Sequence, residues 1–172
     1  DTSEYTKMID DYKSILDFNE ITKYNLNDIK GNIFMKGTYT EIDAYVEELN
    51  EAYHKITSIN NKINQMDISG DSTSCKIDYN EKDGYYLMMT RRRFDTAKAK
   101  DHDFMKGFQM KTIGTSNNVK LVNEDITIAS NIIEDKQRLI SKNVFVYYQL
   151  FIKDFIEKYN KTLDDIIKII TD

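Results

Sequence analysis

The chain contains no proline and no tryptophan, and glycine accounts for only six of its 172 residues. Because proline ends helices and glycine permits tight turns, their scarcity predicts few forced turns and long uninterrupted elements. Cys75 is the only cysteine, which excludes an intrachain disulfide bond. It alternates with strand-like neighbours, so we expect a small buried side chain rather than a nucleophile. A lone thiol also favours an intracellular protein.

Long apolar runs and leader sequences are missing as well. No stretch approaches the roughly 18 apolar residues of a membrane-spanning helix, and no signal peptide is recognisable. We therefore expect an intracellular chain with no membrane partner. The first residue is Asp1 rather than methionine, which suggests a fragment of a longer protein.

The residues that enzymes need are sparse or poorly placed. The two histidines, His54 and His102, are isolated, so no Ser-His-Asp arrangement stands out. Three adjacent side chains, Asp101, His102 and Asp103, cannot all converge on one ion, and we predict a solvated loop there. No Gly-x-x-x-x-Gly-Lys-Ser/Thr motif for nucleotide phosphates is present. The sequence therefore predicts a chain that is not an enzyme and that holds no metal or cofactor.

The charged residues are unevenly distributed along a chain whose formal net charge is −5. Between Lys76 and Lys120 there are ten basic and six acidic residues, which leaves a surplus of +4. The rest of the chain has 14 basic and 23 acidic residues, which leaves −9. This distribution predicts one positively charged region inside an otherwise acidic chain.

Apolar residues at spacings of three and four predict helices in three segments. These patterns run from Ser3 to Phe18, from Glu41 to about Gln65, and from an Asn123 cap to Tyr159. At 1.5 Å per residue the second helix would be roughly 37 Å long and the third roughly 54 Å. Thr40 and Asp43 resemble a capping box at the start of the second helix. A last short helix is expected beyond Tyr159.

The first predicted hairpin lies between the second and third helices. Cys75, Ile77 and Tyr79 alternate with polar residues, which is the period of a strand with one buried face. Residues 80–84 are a cluster of turn formers that ends in a glycine. Residues 85–90 then resume with aromatic, large apolar and β-branched side chains, a strand composition.

A second strand pair is predicted at 106–112 and 119–122, around the polar loop 114–118. Good helix formers with basic side chains occupy much of 91–100, between the two hairpins. The fold class that follows is α+β and mainly α, with long antiparallel helices carrying a small antiparallel β-sheet at their tip. The expected divisions are ascending helices at 1–66, a β-rich part at 67–122, and a descending helix with a short C-terminal helix at 123–172.

Three segments carry a family resemblance. They are Asn32 to Asp43 before the second helix, Tyr79-Asn80 followed by Gly84-Tyr85-Tyr86, and Phe108 to Ile133. In this order and spacing they resemble the lever and clamp region of the MutS mismatch-repair family, over about Asn32 to Tyr159.

Three features depart from the family pattern, and one of them is that the segment between the two hairpins is short of the usual pattern. The family usually has a proline at the start of the descending helix, where this chain has Asn123-Glu124, and the run Arg91-Arg92-Arg93 is more charged than usual. The residue usage is similar to the giant-virus and octocoral-mitochondrial branch of the family.

The resemblance implies a clamp that touches the backbone of duplex DNA without reading its bases. Phosphate contact needs cationic side chains and short hydrogen-bond donors. Six residues around the second hairpin loop form the first candidate set: Lys111, Thr115, Ser116, Asn117, Asn118 and Lys120. A second set lies between the hairpins: Arg91, Arg92, Arg93, Lys98, Lys100 and Lys106. The alternative for the arginine run is an ordinary solvated surface.

The resemblance also implies properties of a longer parent protein. That protein would bind mismatched double-stranded DNA, pair with a second MutS subunit and use ATP and Mg²⁺ in an ATPase domain that this chain lacks. The lever would link the clamp to that domain. The alternative function is a helical-hairpin module that docks another protein and does not bind DNA. Salt dependence of DNA binding would separate the two.

Overall fold

The structure, a computed structural model, describes residues 2–25, 28–66 and 74–171, apart from the side chain of Thr2. It contains these helices: α1 (Thr2–Ile15), α2 (Phe18–Ile21), α3 (Thr40–Gln65), α4 (Arg91–Lys100), α5 (His102–Met105) and α6 (Glu124–Thr171). It contains these strands: β1 (Lys76–Asn80), β2 (Gly84–Thr90), β3 (Gln109–Thr112) and β4 (Asn118–Val122). Among the described residues, no helix combines the length and apolar character needed to cross a membrane.

The predicted fold class is confirmed: the chain is mainly helical, and a four-stranded antiparallel sheet packs against α3 and α6. Beyond Tyr159 the sequence indicated a separate short helix. There the backbone of Tyr159 leaves helical geometry, with φ −114° and ψ 19°, so that α6 consists of two helical segments joined at a kink.

The chain forms two compact units. One comprises residues 1–47 and 136–172, and is called the helical unit; the other comprises 48–135, and is called the sheet unit. The three-part division made from the sequence stays a prediction. Its first boundary falls at 67–73, outside the described residues.

In the helical unit, an extended segment pairs with the end of α1. The Asp17 amide donates to the Ile33 carbonyl at 2.9 Å, and the Met35 amide donates to the Ile15 carbonyl at 2.8 Å. Asp43 then accepts from the Gly37 amide at 2.7 Å. The Asp43 carboxylate therefore closes the turn before α3, whereas the sequence had predicted a capping box with Thr40.

The sheet unit is built on strands in the order β1-β2-β4-β3. The register aligns Ile77 with Leu87, Leu87 with Leu121, and Leu121 with Met110, so one apolar row crosses all four strands. Leu87 and Leu121 are fully buried. Burying such a side chain stabilises a fold by about 1.5–3 kcal/mol. The apolar stripes of α3 and α6 pack on this row, and their buried members in the core are Ala52, Ile56, Ile63, Ile126, Ala129 and Ile133.

The first hairpin has the turn that the sequence predicted. The Asn80 side-chain oxygen accepts from the amides of Lys82 at 3.0 Å and Asp83 at 2.8 Å, and Gly84 adopts φ +69°. A Cβ atom at Gly84 would lie 2.4 Å from the Ser130 Oγ. That hydroxyl accepts from the Tyr85 amide at 2.8 Å. A glycine is therefore needed for both the turn and the close approach of α6 to β2.

The start of β1 is held by one side chain of α3. The Asn64 Oδ1 accepts from the Cys75 amide at 2.7 Å and from the Ser74 hydroxyl at 3.0 Å, while its Nδ2 donates to the Cys75 carbonyl at 3.0 Å. Cys75 is buried, as predicted, and burial raises the pKa of its thiol to about 12. The thiol therefore has no nucleophilic character near neutral pH.

Candidate nucleic-acid interface

The face of the sheet that points away from the core is called the outer face. Its residues alternate with the buried ones, so that Lys120 lies between the buried Val119 and Leu121 on β4. The register aligns Lys76 with Met88, Met88 with Lys120, and Lys120 with Lys111. These four residues are called the lysine row, because three of the four strands contribute a lysine to it.

Lys120 sits in the middle of the lysine row and already has a partner. Its ammonium lies 2.6 Å from the Asp83 carboxylate and 4.3 Å from the centre of the Tyr86 ring. The hydrogen bond to Asp83 raises the pKa of Lys120. The pKa of Asp83 is lowered, first by Lys120 and then by the side chain of Asn80. Lys120 is only 20% exposed, and the Asp83 carboxylate compensates part of its charge.

Lys111 and Lys76 occupy the two edge strands of the row and are exposed. Among residues 2–25, 28–66 and 74–171, no carboxylate lies within ion-pair distance of either one. Lys76 is not among the contact residues predicted from the sequence. Its alternation with Cys75 and Ile77 assigns it to the polar face of β1, but only the strand register places it in line with Lys120.

The loop between β3 and β4 joins the start of α4. Gly114 turns the chain with φ +52°, and the Ser116 hydroxyl accepts from the Asn118 amide at 3.1 Å. The Asn117 carbonyl accepts from the Arg91 amide at 2.9 Å. The structure therefore brings the first candidate set, at 111–120, next to the first residues of the second set.

Helix α4 carries Arg91, Arg92 and Arg93 in its first turn, with Thr90 as its cap and no acidic residue there. Cations at a helix N-terminus oppose the helix dipole and generally cost about 0.3–1 kcal/mol each at low ionic strength. Helix stability therefore does not explain the arginine run. Phe94 and Ala97 anchor the opposite side of the helix in the core.

The residues of the second candidate set lie at the two ends of α4 and beyond it. Lys98 and Lys100 lie in its last turn, about 10–14 Å from its start by helix geometry. Lys106 follows α5 and pairs with Asp103 at 2.8 Å. None of these three lysines belongs to the strand register that forms the lysine row.

A small surface cavity of about 230 Å³ adjoins the lysine row at the start of α4. Its lining includes the cationic residues Lys76 and Arg93 and the hydrogen-bonding side chains of Thr90 and Asn118. No acidic residue lines it among the described residues. The cavity thus offers positive charge and short donors in one recess.

The prediction of a solvated loop at 101–103 is corrected by the structure, in which His102–Met105 form a short helix. Asp101 caps a helical turn, α5, by accepting from the Phe104 amide at 3.0 Å, and it lies 3.9 Å from the Lys62 ammonium. Tertiary contacts therefore order this polar segment. Within the described ranges, no group of three or more His, Cys, Asp or Glu side chains is arranged to hold a metal ion.

A comparison with models of protein families finds a match for this chain. The model of MutS family domain IV matches residues 37–131, more than half of the chain, and this match contains α3, all four strands and the lysine row. It lies within the region for which the sequence resemblance was noted. No curated protein gives a significant match to the chain. On the strength of the domain IV match, the chain belongs to the MutS family.

Proposed function

We propose that the chain is the clamp and lever part of a MutS-like DNA mismatch repair protein, and that its outer face contacts the backbone of duplex DNA. The observation that carries this proposal is the lysine row on a sheet that belongs to domain IV. Three lysines aligned across four strands have no role in the core, which lies on the other side of the sheet.

The dimensions of the lysine row suit a phosphate backbone. Neighbouring strands lie about 4.8 Å apart, so the row from β1 to β3 is on the order of 14 Å wide. Duplex DNA carries one negative charge per roughly 1.7 Å of helix axis, so such a row faces several phosphates at once. Lysine contacts to phosphates fix position without reporting sequence. The face should therefore bind duplexes of any sequence.

A second group of donors extends the proposed contact beyond the lysines. Thr115, Ser116 and Asn117 lie in the loop that is hydrogen-bonded to Arg91, and Asn118 is the first residue of β4. Backbone amides and small hydroxyl or amide side chains are common partners of phosphate oxygens. We propose the recess lined by Lys76, Thr90 and Asn118 as the place where one phosphate sits deepest.

The properties of the parent protein are proposals of a wider kind. We infer that this chain is a fragment, that its helices form the lever to an ATPase domain using ATP and Mg²⁺, and that the chain itself is not an enzyme. In the parent, a second MutS subunit would close the grip on mismatched DNA inside the cell. Membership of the giant-virus or octocoral-mitochondrial branch stays a prediction from residue usage alone.

Fluorescence anisotropy with labelled duplexes of two unrelated sequences tests DNA binding by the full chain. Lys111→Glu should weaken binding on the order of tenfold at low salt, equally for both sequences, because it reverses an exposed charge. The slope of log affinity against log salt should fall by about 1. Lys55→Glu is the matched control, since Lys55 is an exposed lysine of α3, which packs on the core side of the sheet.

Two outcomes would contradict the proposal. One is binding that does not respond to salt, and the other is an equal loss of affinity in Lys111→Glu and Lys55→Glu. Either result would favour the alternative function, a helical-hairpin module that docks a protein.

A further inference from the structure

The helical unit contains a cavity that is lined by its own residues. It has a volume of about 540 Å³ and lies between α1, Tyr39 and the part of α6 around residues 147–159. Sites for small ligands and single side chains commonly enclose about 300–1,000 Å³. We call it the aromatic cavity, because Tyr39, Tyr147, Phe151, Phe155 and Tyr159 line it.

The walls of the aromatic cavity are rings held in fixed contact. Tyr39 and Tyr147 stack with centroids 4.1 Å apart and an interplanar angle of 19°. Phe151 and Phe155 lie 5.5 Å apart, and Tyr12 packs against both of them. Ring faces carry negative electrostatic potential, so a cavity built from them favours a cation.

The charges around the aromatic cavity also favour a cation. Lys158 and the Tyr159 hydroxyl both bond to the Asp11 carboxylate, so the positive charge of Lys158 is compensated. Asp154 also lines the cavity, and it has no hydrogen bond or ion pair with any described residue. The Asp154 carboxylate also acts on Tyr39, whose pKa is raised first by burial, then by Tyr147 and by Asp154. One uncompensated carboxylate therefore faces an aromatic recess.

We propose that the aromatic cavity receives an arginine side chain from a protein segment that docks against α1 and α6. A guanidinium is weakly hydrated, stacks on aromatic rings and pairs with a carboxylate through two hydrogen bonds. A lysine ammonium is more strongly hydrated and suits such a recess less well. An anionic group would be repelled by Asp154. A purely apolar side chain would remove water from that carboxylate without replacing its hydrogen bonds.

The experiment is an NMR titration of the isotope-labelled full chain with Nα-acetyl-arginine amide. Two probes of similar shape serve as comparisons: the citrulline analogue, which is neutral, and the norleucine analogue, which is apolar. Arginine should bind on the order of fivefold more tightly than either, with shift changes confined to the amides of α1, Tyr39 and α6. Asp154→Asn should reduce arginine binding to the level of citrulline.

Glu157→Gln is the matched control, because it removes one carboxylate from the same helix at an exposed position outside the lining. It should leave arginine binding unchanged. Tyr147→Leu should weaken arginine binding while retaining the spectrum of a folded chain. Equal binding of norleucine, equal weakening by Glu157→Gln, or no shift changes with the arginine probe would each overturn the proposal. None of these results depends on DNA binding.

Discussion

The two faces of the four-stranded sheet differ in chemistry, although alternate residues of the same strands supply them. The core face carries the row Ile77, Leu87, Leu121 and Met110, whereas the outer face carries the lysine row one residue away on each strand. The core face is packed against α3 and α6, and the outer face faces away from both. The residues that hold the domain together are therefore distinct from those proposed to bind DNA.

This separation has a physical consequence for substitutions. Apolar burial stabilises in proportion to the area removed from water, so a change on the core face acts on folding. Charges at an exposed face are screened and contribute little to folding, but they set the attraction to a polyanion. Neighbouring residues of one strand should therefore produce different kinds of defect.

The largest expected effect comes from adjacent residues of β4. Leu121→Ala should lower the free energy of unfolding by about 2–5 kcal/mol, because Leu121 is fully buried and its truncation leaves a cavity. Lys120→Ala should cause a much smaller loss, since the outer face does not contribute to the core. Urea denaturation of both variants measures the difference. Similar losses in the two variants would mean that the faces are not energetically separate.

A smaller effect is expected at the turn that neutralises Lys120. Asp83→Asn should tighten DNA binding roughly threefold at low salt, because the Lys120 ammonium loses its 2.6 Å carboxylate partner and can meet a phosphate. The salt slope should steepen by up to about 0.9. Glu81→Gln, an exposed change of equal charge in the same turn, is the control for anisotropy measurements. Equal tightening in both variants would mean that the change in net charge, and not the release of Lys120, strengthens DNA binding.

The smallest effect concerns the stability of the Asp83–Lys120 pair as pH changes. Lys120 lowers the pKa of Asp83, so the pair stabilises the folded state above the unfolded pKa of about 3.9 and loses this contribution as pH falls through the folded value. The difference in urea midpoint between the wild-type chain and Asp83→Asn should therefore be present at pH 7 and shrink in acid below about pH 4. A difference in urea midpoint that persists or grows in acid would show that the Asp83–Lys120 ion pair is not its cause.

The regular elements could be predicted because their signals are local. The period of two from Cys75 to Tyr79 and the turn formers that end at Gly84 predicted the first hairpin, which the structure confirms as β1 and β2. The apolar spacing of α3 and α6 predicted both long helices. The short helix α5 was missed, because Asp101 is ordered by its cap and by Lys62 rather than by its neighbours' propensities.

The candidate site was only partly predictable from the residues. Lys111 and Lys120 were both proposed from the composition around the polar loop, and the register places them opposite each other. Lys76 comes from an edge strand 44 positions before Lys120 in the chain, so no local pattern relates them. The partnership of Lys120 with Asp83 is likewise a contact across 37 residues.

The sequence by itself determined the long helices, the hairpins, the alternation that separates apolar from charged faces, and the family. These depend on periodicity and turn chemistry, which operate over a few residues. Only the tertiary structure decided the central pairing of β2 with β4, the lysine row and the partner of Lys120. Pairing between distant strands is selected by burial of the whole apolar face against α3 and α6, and that selection is a property of the assembled core.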